Sequence, residues 1–376
     1  MKTNRIFSIL ALALCAAGQS ITAQPSLGFA TAGNQASLNW PAEATNFILQ
    51  SATDLASPNW VTVTNATPGT NLPVAYDSPA RFFRLYQAPI VPAGMALIPA
   101  GAFTMGNVLD ESDIGDAYPT NVNVSAFYMD VTLVRYDHWQ TVYNWATNQG
   151  YLFYSTGLGK ASNHPVAGIS WYDAVNWCNA RSQQEGLTPV YYSDPSFTQV
   201  YTNANGHGHV YPNWSTSGYR LPTEAEWEKA SRGGLSGHRF PWGDTIAESQ
   251  ANYFGYYHDA YSWDFGPFGY NATFSDGVSP YTSPVGYFAP NGYGLFDMAG
   301  NLKQWCWDWY GAPPYDSGSA YLGGTDPHGS TSTQSQKVLR GGDWSEIAIY
   351  ARCAARFQND PLQAQIIMGF RCVRGH

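Results

Sequence analysis

The chain has 376 residues and a formal charge of −9, with only 18 lysines plus arginines. So sparse a basic complement speaks against nucleic acid as a partner, because phosphate-backbone binding rests on clustered cations. Glycine at 37, proline at 24, tyrosine at 26 and tryptophan at 14 point to many turns, few and short helices, and an aromatic interior; the length allows one large domain or two unequal ones.

Residues 1–23 read as a secretory signal: Lys2 and Arg5 precede an apolar run from Ile6 to Ala17, and small residues follow before Gln24. The run is too short to serve as a transmembrane helix, so the mature chain is expected near Gln24, secreted, periplasmic or at the cell surface. Cys15 lies within the run, but Leu14 is a poor match to the small residue that precedes a lipidated cysteine; a lipoprotein is the alternative. Removing the signal leaves Cys178, Cys306, Cys353 and Cys372, an even number in a compartment where disulfides persist, with three connectivities open and four buried thiols as the alternative.

Residues 26–87 carry short β-rich runs, ASLNWP, NFILQSA, WVTVTNA and ARFFRLYQ, separated by Pro, Gly, Asn and Asp. Alternating apolar side chains need a second layer to cover them, so a small all-β sandwich is predicted. APIVPAG, over 88–94, reads as a joint. Beyond it MALIPAGAFTMG predicts two strands about a Gly turn, and VNVSAFYMD a further strand. LVRYDHWQTVYNWATNQG predicts a helix whose face carries Val134, His138, Thr141, Val142 and Trp145 and which ends at Gly150. His138 there reads as a packing or surface residue. Ser170 and Asp173 have capping-box spacing and open a helix that turns Ala174, Val175 and Cys178 inward; Thr223 and Glu226 open another, with Trp227 as its buried anchor and Gly233-Gly234 as its end. The stretch beyond is long and irregular, which costs conformational entropy unless ions, bridges or aromatic packing hold it. His207 and His209 sit in a Gly/Asn loop and read as a surface turn, with a metal-ligand pair as the alternative. No G-x-S-x-G elbow marks a serine hydrolase.

FTMG (103–106), HPVAGISWYDAVNWC (164–178), YRLPTEAEWEKASRGG (219–234), FPWGD (240–244), NGYGLFDMAGN (291–301), RGGDW (340–344), RCAAR (352–356) and GFRC (369–372) together resemble, in order, the formylglycine-generating enzyme or sulfatase-modifying-factor family, over about residues 92–374. The resemblance implies an α+β fold related to C-type lectins, with little regular structure, over 95–374. The segment 26–87 separately resembles a fibronectin-III-like module.

Active members of that family oxidise a sulfatase cysteine to formylglycine with oxygen and copper held by two cysteines, since soft thiolates suit Cu(I). Counting forward from Gly341-Gly342 puts Glu346 at the first thiolate position, and counting back from Cys353 puts Ala348 near the second. Asp343 stands for the expected serine, Lys303 for a tryptophan and Ile367 for an asparagine. The resemblance places the family pocket around Asp343, Trp344, Glu346, Arg352 and Arg356. It implies bridges Cys178–Cys372 and, as in bacterial relatives, Cys306–Cys353; the animal enzyme instead pairs the latter cysteine with one near Ser231. It also implies one calcium site at Asn252, Tyr253, Asp276 and Val278 and a weaker one at Asp297, Gly300, Leu302 and Gln304, where an amide replaces the family's carboxylate; hard oxygen donors suit calcium. Copper is not expected. The reading is an exported noncatalytic module that binds a protein or carbohydrate, or is structural. The alternative is an oxidoreductase acting on a sulfatase cysteine, or other chemistry in the same pocket.

Overall fold

A computed structural model describes residues 25–376 apart from 33–34, 57–58, 75–80, 88–89, 110–113, 207, 257–260 and 331–333. The predicted signal with Cys15, part of the joint and His207 lie outside the described residues. The chain divides into two units, one ending at Ile90 and the other beginning at Val91.

In the first unit the inward residues Leu38, Trp40, Phe47, Leu49, Phe83 and Leu85 gather into one core. All but Trp40, which follows the strand end at Asn39, come from two three-stranded antiparallel sheets. One orders Gly28–Ala32, Gln35–Asn39 and Leu72–Val74; the other orders Val61–Thr62, Phe47–Ala52 and Phe82–Gln87. The run WVTVTNA pairs over Val61–Thr62 alone. Gly28–Ala32 and Leu72–Val74 were not expected as strands, because small residues and a proline hide their alternation.

The second unit is α+β, with three α-helices among its described residues. The central sheet orders Arg356–Asn359, Lys337–Arg340, Lys303–Trp309 and Met368–Gly369, antiparallel except for the last pair. Smaller sheets join Val373–Gly375, Phe127–Asp130 and Met95–Ile98, and Gly324–Thr325, Thr120–Val124 and Gly101–Met105. The predicted strand VNVSAFYMD is therefore two: it breaks at Ser125-Ala126, and its halves enter different sheets.

Helix α1 spans Tyr136–Asn148, and its inward face is Trp139, Val142 and Ala146, so that of the predicted set only Val142 is fully buried on the helix. Val134 precedes the helix and Thr141 is exposed. Bulk decides this: the Trp139 ring stacks on Trp177 of α2 at 6.0 Å, with Phe370 edge-on to both. Helix α2, Trp171–Gln184, starts at the predicted box, with Ser170 Oγ accepting from Asp173 N at 3.1 Å and Asp173 Oδ2 from Ser170 N at 3.0 Å. Helix α3, Glu224–Ser231, has the Thr223–Glu226 box, and every residue in it is buried. No helix of the described residues is long and apolar enough to cross a membrane.

Candidate functional site

Two backbone features carry the central site. Strand Lys303–Trp309 leaves a tight turn in which Asp297, Gly300 and Asn301 take φ of 55°, 74° and 67°. Strand Lys337–Arg340 runs into Gly341 and Gly342, at φ 97° and 69°. A Cβ on Gly342 would lie 2.8 Å from the Tyr350 carbonyl oxygen, so the loop approaches its own return segment as closely as only glycine allows. Beyond it Asp343 Oδ1 accepts from Ser345 N at 2.7 Å and Ser345 Oγ at 2.5 Å, folding the loop so that Glu346 N reaches the Asp343 carbonyl at 3.2 Å.

That fold brings three of the departures from the family pattern into contact. Lys303 Nζ lies 2.5 Å from Asp343 Oδ2 and 2.9 Å from Glu346 Oε1, with the Phe357 ring 4.5 Å away. A further departure, Ile367, sits beside them: Lys303 N donates to the Ile367 carbonyl at 2.9 Å. Lys303 and Asp343 are buried, while the Glu346 side chain keeps 32% exposure. A paired ammonium between two carboxylates satisfies groups that would each be costly alone in this setting.

The remaining predicted pocket residues separate from this cluster. Trp344 is buried against Tyr281 and Tyr270, with ring centroids at 5.1 and 5.6 Å. Ala348 is fully buried in an apolar group with Phe240, Ile246 and Tyr253. Arg352 Nη2 donates to Asn107 Oδ1 at 3.0 Å. Arg356 makes a bidentate pair with Glu224, at 2.6 and 3.0 Å, and donates to the Asp116 and Gly311 carbonyls. Glu224 belongs to a buried ionic network that the sequence reading missed: Glu228 bridges Arg232 and Arg340, and Arg340 also donates to the Cys353 and Ala355 carbonyls. Burial alone would push Glu228 up, but the two guanidinium groups and the Gly106 N–H hold its carboxyl below the ordinary range. The EAEWEK repeat of acids at alternate positions was the available signal, but charge on a short helix ordinarily means a solvated face.

All four cysteines of the second unit are buried thiols. Cys178 Sγ and Cys372 Sγ lie 3.6 Å apart. Cys353 Sγ accepts from Ser231 Oγ at 3.3 Å, and Cys306 Sγ faces the Gln304 carbonyl at 3.9 Å.

Residues 85–376 match the family described as the sulfatase-modifying factor enzyme 1-like domain. The chain belongs to that family. It is 33% identical to the formylglycine-generating enzyme of Bos taurus over 308 residues, 77% of this chain and 76% of the relative. It is also 33% identical to the formylglycine-generating enzyme of Streptomyces coelicolor, over 74% of this chain and 88% of that one. Among solved structures it is similar to Treponema denticola variable protein 1, with TM-score 0.56, 27% identity, and coverage of 75% and 95%.

The calcium positions that family membership raises are engaged by protein groups. Asp276 Oδ1 takes the Lys160 ammonium at 2.7 Å and the Val278 N–H at 3.1 Å, and the same ammonium donates to the Phe274 carbonyl at 3.0 Å. The Asn252 amide donates to the Tyr281 carbonyl at 2.8 Å, its own carbonyl accepts from Asn301 N, and the Tyr253 hydroxyl is spent on Asp264. At the second set Gln304 Oε1 accepts from Trp227 Nε1 at 2.9 Å and Arg371 Nε at 2.7 Å, and its amide donates to the Asp297 carbonyl. Asp297 Oδ2 accepts from Gly286 N, burial raises its carboxyl above the usual range, Leu302 is fully buried, and Gly300 N donates to the Gly341 carbonyl. In each place a cationic side chain already occupies part of the donor set, Lys160 at Asp276 and Arg371 at Gln304 and the Asp297 carbonyl. Among the described residues no three His, Cys, Asp or Glu side chains form a metal-holding group.

Proposed function

We propose that this sulfatase-modifying-factor domain is an exported, noncatalytic member of its family, a binding or structural module that does not make formylglycine with copper. One observation carries the reading: the Lys303 ammonium sits between Asp343 and Glu346, where the resemblance expects a tryptophan, a serine and a thiolate. A hard carboxylate paired to an ammonium is no ligand for Cu(I), and the second expected thiolate position, Ala348, presents a methyl group to an apolar cluster. The replacements also make one self-consistent unit, in which the lysine neutralises one carboxylate and shares the other.

The same logic extends to calcium at Asp276. Lys160 supplies there the positive charge that a calcium ion would bring, so calcium would bind only after the ammonium leaves. The N-terminal two-sheet unit, read as fibronectin-III-like, and the leader over 1–23 support export and display outside the cytoplasm. The test is direct. Mature protein loaded with Cu(I) and supplied with oxygen and a cysteine-bearing sulfatase peptide should produce no aldehyde by mass spectrometry. Aldehyde formed faster than in copper buffer alone would refute the proposal and restore the oxidoreductase reading.

A further inference from the structure

Along strand Lys303–Trp309 the side chains alternate. Gln304, Cys306 and Asp308 turn to one side, while Trp305, Trp307 and Trp309 turn to the other. Trp305 is fully buried, but Trp307 and Trp309 are partly exposed where the strand leaves the core. They open into a cleft of about 470 Å³, closed on its other sides by Trp214, His209 and His328, a size in the usual range for small-molecule sites. Trp214 stacks on His328 at 3.9 Å and stands at 90° to Trp307. Two indole planes therefore meet at a right angle; both residues are partly exposed, although Tyr191 is already stacked on Trp307 at 5.3 Å.

Lys337 forms the floor. It pairs with Trp309 across the sheet, and its Nζ lies 3.7 Å from the centroid of Trp309, 4.2 Å from Trp171 and 4.7 Å from Trp307. Among the described residues its hydrogen-bond acceptor is the Trp307 carbonyl, at 2.8 Å. The side chain is almost wholly buried, and no described carboxylate comes within ion-pair distance of it. Burial lowers its proton affinity, an effect that the Asp308 carboxylate offsets only in part and that a bound anion would oppose further.

The wall chemistry selects the ligand. Its charged or ionisable nitrogen groups are Lys337, His209 and His328, and among the described residues no Asp or Glu lines the cleft, although the chain as a whole carries −9. Arg220, which lies over the Trp214 ring at 5.1 Å, is neutralised by a bidentate pair with Glu226 at 2.7 Å and adds no net charge. A cationic ligand is disfavoured, since the indole cage already holds an ammonium. A flat ligand with a weakly positive C–H face suits the negative indole faces; a pyranose ring has that face, and an acidic substituent on it would accept from Lys337. We propose that this cleft is a binding site for acidic glycans, pyranose chains bearing carboxylate or sulfate groups. The cleft is at the far end of the strand from Lys303, roughly 13 Å away at Trp307 and roughly 20 Å at Trp309 by the strand rise, so the inference stands or falls separately from the reading of the Lys303 cluster.

The experiment is a tryptophan-fluorescence titration of the mature chain with tetrasaccharides from polygalacturonate, alginate, hyaluronan and heparin, against neutral tetrasaccharides of cellulose and mannan, with an oligothymidylate as a control. Saturable binding of at least one acidic probe, and weaker binding of the neutral ones, is expected. Trp214→Ala, a partly exposed position, should weaken binding by roughly tenfold or more, as for loss of an aromatic anchor. Lys337→Met should remove the preference for acidic over neutral chains; near-ultraviolet dichroism checks that it folds. Absence of saturable binding by every acidic probe, equal binding of neutral ones, preferred binding of the oligonucleotide, or affinity unchanged in a folded Trp214→Ala variant would each overturn the proposal.

Discussion

Replacing Lys303 by methionine keeps most of the side-chain volume and deletes the charge between Asp343 and Glu346. Asp343 is then the exposed weakness of the fold. Its Oδ1 keeps two bonds from Ser345, but Oδ2 loses its 2.5 Å partner, and the side chain has no solvent access. Leaving one buried partner of an ion pair uncompensated costs about 3–5 kcal/mol. Glu346 keeps a third of its surface in water, so its part of the loss is screened and below about 1 kcal/mol. In a domain of this size each kcal/mol moves the midpoint by roughly 2–4 °C, which gives a fall of roughly 6–20 °C. Thermal unfolding followed by near-ultraviolet dichroism, which the tryptophans of the second unit dominate, would measure it. Adding Asp343→Asn to Lys303→Met should recover more than half of the loss, because the stranded charge is gone. If the single variant melts with wild type, or the double variant is as unstable as the single, the three side chains do not act as a coupled unit and the argument against a metal at this position loses its basis.

Asp308 gives a pH signature. Burial, then the nearby Glu224 carboxylate, pushes its carboxyl up to about 8, whereas an unfolded Asp titrates near ~3.9. Between those values the folded chain holds a proton that the unfolded chain has released, so stability falls as pH rises through that window. Asp308→Asn should flatten the fall in urea midpoint, which for this group amounts to at most ~1.4 kcal/mol per pH unit; an unchanged slope would contradict the assignment. Calcium should leave the wild-type melting temperature unchanged and raise that of Lys160→Met, in which Asp276 and the Phe274 carbonyl lose their ammonium. A calcium-dependent rise in the wild type would show that Lys160 yields its place. Oxidation should close Cys178–Cys372, given sulfurs 3.6 Å apart, and stabilise the fold by about 2–4 kcal/mol. Peptide mapping of the oxidised, unreduced protein should find that pair, and its absence would refute the assignment.

Local signals carried far along this chain because their physics is local. The boxes at Ser170 and Thr223, the turn between Met95–Ile98 and Gly101–Met105, and the inward Trp227 follow from neighbours within four residues, and the ordered motifs were enough to indicate the family. Tertiary structure decided everything that joins distant residues. Trp139 displaced the expected face of α1 because Trp177 and Phe370 supply its partners from elsewhere in the chain. VNVSAFYMD broke in two because its halves have different neighbours. Lys303, Asp343 and Glu346 were each legible as a departure from a pattern, but their union across 40 and 43 positions was not. Nor was the destination of Arg356, drawn to Glu224 across 132 positions. A charge's partner in a chain of this composition is set by which strands pair and which glycines let loops approach, and those are properties of the packed chain rather than of any window of its sequence.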